Sequence, residues 1–116
     1  IEGPDFFELH EEFENEYNTI KENIDIVAER IRVFGVKSNF TFKKTLELSN
    51  IEEQEKDTSA LEMVREVLHD YEILHDNMLD AVNASLETGD VVTENMLTEF
   101  MTELEKRHWM FTSFLK

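Results

Sequence analysis

The sequence predicts an all-α fold in which a few long helices pack as a bundle. Punctuation is scarce, with 3 Gly and 1 Pro in 116 residues, which leaves room for few turns. Apolar residues recur at alternating steps of three and four over stretches far longer than a strand, which is the period of a helix. Capping residues stand at the ends of those stretches.

The first helix is expected from Gly3-Pro4-Asp5, where proline is tolerated in a first turn, to about Phe34, with Gly35 as its C′ residue. Its apolar series is Phe6, Phe13, Tyr17, Ile20, Ile24, Val27, Ile31 and Phe34, and His10 occupies a slot in the same series. Residues Val36 to Phe42 read as a loop, Thr45 to Glu53 as a short amphipathic helix, and Gln54 to Asp57 as polar connection. Ser59-x-x-Glu62 is a capping box for a second long helix. That helix places Leu61, Val64, Leu68, Tyr71, His75, Met78 and Val82 inward and stops at Gly89. Asp90 or Thr93 caps the last helix, which turns Leu97, Phe100, Leu104, Phe111 and Leu115 inward. Apolar stripes of this width on helices of this length call for a four-helix bundle. Because the chain opens on Ile1 rather than Met, a further, N-terminal long helix is expected upstream. The whole of 1–116 then reads as one N-terminally incomplete domain.

Charge and composition narrow the function. The formal net charge is −16, from 27 acids against 11 bases. Such a surface gathers cations and repels nucleic acid and anionic membrane. The absence of Cys excludes disulfides and thiolate metal sites and suits the cytoplasm. No apolar run reaches the roughly 20 residues that span a bilayer.

Two constellations could carry chemistry. Glu11, Glu14, Asn18, Glu22, Asp25 and Glu29 line one face of the first helix. Like charges at such spacing repel by roughly 0.2–0.5 kcal/mol per pair, so the face is either well solvated or holds cations. Imidazole with carboxylates is a ligand mix for iron, zinc or manganese, which makes His10, Asp25 and Glu29 candidates. Asp25 and Glu29 are one turn apart, but His10 lies roughly 22 Å away along the axis. The three meet only if two copies of the helix pack antiparallel; otherwise they are a core-edge histidine and two solvated acids. The second constellation is Glu-x-x-His, found at Glu66/His69, Glu72/His75 and Glu105/His108. Di-iron bundles use this spacing when both acids face inward. On a helical wheel His75 points to the core and Glu72 is marginal, whereas Glu105 points away and Glu66 and His69 face out.

Several segments resemble the Dps-type mini-ferritins. Gly3-Pro4-Asp5-Phe6-Phe7-Glu8-Leu9-His10-Glu11 is similar to the segment that opens their second helix, and Asp25-Ile26-Val27-Ala28-Glu29-Arg30 to their D-E-x-A-E-R segment. Thr45-Leu46-x-Leu48 with Ser49-x-Ile51-Glu52-Glu53 resembles the family's connecting helix. Gly89-Asp90-x-x-Thr93 and His108-Trp109-Met110 resemble the two ends of its last helix. The resemblance covers nearly the whole chain in order.

It implies a ferritin-like four-helix bundle, with a short extra helix in the long crossover and the first long helix absent from this chain. It implies assembly into a hollow dodecamer that stores iron and oxidises Fe(II), preferably with hydrogen peroxide. The implied ferroxidase site lies between two subunits, with His10, Asp25 and Glu29 on three of its ligand positions and a fourth, histidine ligand upstream of Ile1. Glu11 and Glu14 would nucleate mineral, and Glu87, Asp90 and Glu94 lie near the implied entry pore. Some family members bind DNA through a Lys/Arg-rich tail; the C-terminal residues up to Lys116 show none, and with a net charge of −16 no direct DNA binding is expected. The alternatives are a non-enzymatic acidic helical module and a di-iron bundle using the Glu-x-x-His pairs.

Overall fold

The computed structural model describes residues 6–35 and 59–116. The expected helix start at Gly3-Pro4-Asp5, the loop at 36–42 and the short helix at 45–53 lie outside the described residues. The chain forms two compact units, residues 1–57 and residues 58–116.

In the first unit, α1 runs over Phe6–Val33 without a break. Gly35 ends it at φ +78°, a left-handed conformation that favours glycine. The Gly35 N–H donates to the Arg32 carbonyl at 2.9 Å, which satisfies one of the orphan carbonyls of the last turn. The Arg30 guanidinium lies 4.8 Å above the Phe34 ring.

The buried residues of α1 differ from the expected stripe. Leu9, Glu16 and Ala28 are buried, while Phe13 and Val27 are half-buried. Tyr17, Ile24 and Phe34 are 67%, 58% and 59% exposed, and Ile31 is exposed as well. His10, expected to tend inward, is also exposed. At 100° per residue the apolar series covers a wide arc of the helix. The arc through Leu9 and Glu16 is buried, and the adjoining edge, Tyr17–Ile24–Ile31, remains open.

The second unit is a helical hairpin of α2 (Ala60–Thr88) and α3 (Val91–Phe114). The Ser59 side chain caps α2 by accepting the Glu62 N–H at 3.2 Å. Gly89, at φ +72°, closes α2. Asp90, rather than Thr93, caps α3: its Oδ1 accepts the Thr93 N–H at 3.1 Å, and its Oδ2 accepts the Thr93 hydroxyl.

The hairpin seam follows a seven-residue rhythm. Val64, Tyr71 and Ser85 are buried on α2 with Met78 half-buried between them, and Leu97, Leu104 and Phe111 are buried on α3. A strict heptad keeps one seam facing its partner helix. Tyr71 and Phe111 meet across it with ring centroids 6.1 Å apart, tilted by 57°. Ser85 is tolerated inside because its hydroxyl donates to the Ala81 carbonyl at 2.9 Å. Leu61, expected inward, is 47% exposed; it stands in the first turn of α2, three residues before Val64.

Candidate functional site

Asp25 and Glu29 stand on consecutive turns of α1 and line an open groove of about 510 Å³ with Ala28 and Arg32. Both acids are exposed, and Ala28, which lines the groove with them, is buried. Arg32 is an addition that the sequence reading missed. Its position seven residues after Asp25 and three after Glu29 was the available signal, since helical neighbours recur at that spacing.

His10 is on the same unbroken helix, about four turns from Asp25. Within one protomer the three side chains therefore cannot surround one ion. Among the described residues no three His, Asp or Glu side chains converge on a common point. Glu11 and Glu14 are exposed on α1. Glu87 is exposed near the end of α2, and Glu94 lies in the first turn of α3, while the Asp90 carboxylate between them is engaged in capping.

A second grouping lies on the hairpin. His75 Nε2 and Glu105 Oε2 are 2.8 Å apart, and one turn away His108 Nε2 and Glu72 Oε1 are 3.7 Å apart. The wheel direction of Glu105 is correct, in that its side chain is 63% exposed, yet it still reaches His75. A wheel records where Cβ points, and a glutamate's three torsions carry its carboxylate back over the helix surface. Pairs this accessible contribute about 0–1 kcal/mol each to stability.

Asp70, also on α2, has its carboxyl pushed above the ordinary aspartate value by desolvation, partly offset by the neighbouring His69.

The ferritin-like domain model matches residues 1–116. A DNA protection during starvation protein 2 of Bacillus anthracis is 37% identical over 115 residues, covering 99% of this chain and 79% of the relative. The crystal structure of Dps from Staphylococcus aureus superposes with a TM-score of 0.95 at 36% identity, over 99% of this chain and 77% of that one. A Dps protein of Vibrio cholerae O1, described as a member of a broad superfamily of ferritin-like diiron-carboxylate proteins, superposes with a TM-score of 0.96 at 30% identity, over 100% of this chain and 73% of that one. The chain belongs to the ferritin-like domain family, within its Dps branch.

Proposed function

We propose that the chain is an iron-storage and detoxification subunit whose ferroxidase site forms between two protomers. The observation that carries this reading is the uncovered apolar edge of α1, Tyr17–Ile24–Ile31, running between His10 near one end and Asp25 with Glu29 near the other. An antiparallel second copy laid on that edge buries the exposed tyrosine and isoleucines. The same packing sets the imidazole of one protomer against the carboxylate pair of the other. Two copies thus yield two equivalent sites, as a two-fold interface requires.

Fe(II) is the substrate. The net charge of −16 raises its local concentration, and Asp25 and Glu29 supply hard oxygen donors against the His10 nitrogen. Two Fe(II) each give up one electron to one hydrogen peroxide, which takes two protons and leaves as two waters. The more highly charged product then passes to the exposed carboxylates, Glu11 and Glu14 first, where mineral nucleates. Twelve subunits close a hollow shell around it in the bacterial cytoplasm, and Glu87, Asp90 and Glu94 stand near the entry route. Protection of DNA follows from removing both reactants, without contact between this acidic surface and phosphate.

The test is peroxide-driven Fe(II) oxidation by the wild type and by Asp25→Ala and His10→Ala, with particle size measured alongside. The wild type is expected near twelve times the 13.7 kDa chain mass. Each variant is expected to lose about tenfold or more of the rate, the scale seen when groups around a metal are removed. Oxidation at the wild-type rate by both variants would assign the activity to other residues. A small particle that is inactive would leave only an acidic helical module.

A further inference from the structure

We propose that the α2–α3 hairpin holds a second dication site of its own, formed by His75 and Glu105 with Glu72 and His108, that takes a zinc-class metal ion. Nothing in it draws on α1, so it stands apart from the site proposed above.

Donor spacing comes first. Two ligand atoms each about 2.0–2.2 Å from a tetrahedral zinc stand roughly 3.3 Å from one another. The two nitrogen-to-oxygen separations, 2.8 Å for His75 and Glu105 and 3.7 Å for His108 and Glu72, bracket that value. A hydrogen bond and a metal clamp are alternatives for the same pair of atoms, and a dication replaces the shared proton. In both pairs the histidine atom is Nε2, a usual metal donor.

The pattern of the four groups is the second point. Each helix contributes a Glu and, three residues on, a His, and the helices run antiparallel. Each rung is therefore one His facing one Glu, with the order reversed on the next rung about 4.5 Å away along the axis. Each imidazole then has a carboxylate on both neighbouring corners. The four groups stand as one hydrogen-bonded pair at 2.8 Å and one looser pair at 3.7 Å, with no three of them converging, and a third donor joins by rotation of a side chain from the adjacent rung. Two imidazoles and two carboxylates suit zinc, cobalt or ferrous ion more than calcium or magnesium.

Space is the third point. All four side chains line one cavity of about 280 Å³, together with Tyr71, Asp76 and Leu104. Tyr71 and Leu104 are buried and form a low-dielectric wall, and Asp76 adds a further oxygen and negative charge.

The experiment uses the full chain with zinc alone. Carbethoxylation of histidines is mapped by peptide mass spectrometry with and without Zn²⁺, and Co²⁺ binding is followed by its visible spectrum and by calorimetry. Protection of His75 and His108 by Zn²⁺ is expected, with exposed His69 unprotected as the internal control. The paired variant His75→Ala/His108→Ala is expected to bind one Co²⁺ fewer per chain, while Asp25→Ala retains the hairpin ion. Unprotected His75 and His108 in the wild type would overturn the site whether or not the paired variant folds. So would unchanged Co²⁺ stoichiometry in a folded paired variant, which would leave the rungs as plain ion pairs. Loss of Fe(II) oxidation on Asp25→Ala bears only on the α1 site.

Discussion

Asp70 carries a pH signature that a single substitution can isolate. Its carboxyl is raised by desolvation, with His69 pulling it partly back. The folded chain thus retains a proton where the unfolded chain has released one. Stability therefore falls as pH rises from about 3.9, the ordinary aspartate value, through the raised one. The penalty is complete at neutral pH. Asp70→Asn removes it, so the variant should melt above the wild type at pH 7 and together with it below about pH 3.5. Thermal unfolding followed by circular dichroism at the two pH values checks this, and an equal offset at both would show that charge is not the cause.

The elements were more legible than the faces they bury. Ser59, Gly89 and Asp90 marked the ends of α2 and α3 because capping is local chemistry, settled within four residues of sequence. The heptad seam of the hairpin was readable for a similar reason: Leu104 and Phe111 recur at a seven-residue step on one helix and Val64 and Tyr71 on the other, which sets one seam and one register. The packing of α1 was not, because its apolar arc is wider than its buried face, and period alone does not divide an arc among neighbours. Buried Glu16 illustrates the gap, as an acid at an inward slot reads as surface. His10, Asp25 and Glu29 could be singled out as candidate ligands from residue type and spacing, and Arg32 could not, since a basic residue after two acids reads as ordinary helix-end charge. At this scale Leu104→Ala, at a position 2% exposed in the seam, should cost about 2–5 kcal/mol in denaturant unfolding. A loss below about 0.5 kcal/mol, the range of ordinary surface changes, would mean the seam is not the hairpin's core.

For the whole molecule the open edge of α1 sets the prediction. Tyr17 and Ile24 take no part in the proposed chemistry, so a charge there tests association without touching a ligand. Ile24→Glu should shift the particle to small species in analytical ultracentrifugation while the helical content of the chain is preserved. A particle unchanged in size would remove this edge from any subunit contact. Because the ferroxidase site is proposed to need both protomers, Fe(II) oxidation should fall in step with dissociation.

The two-residue turn between α2 and α3 has a kinetic consequence. Gly89 and Asp90 bring the ends of the two helices together with almost no loop to close, so little chain entropy stands against the first contacts. The buried residues flanking the turn, Val82 and Leu97, are near in sequence, and the hairpin can zip outward from its tip toward Tyr71 and Phe111. Topologies of this kind fold within microseconds to milliseconds. A newly made chain would therefore have its C-terminal half in order long before any slower encounter between subunits begins.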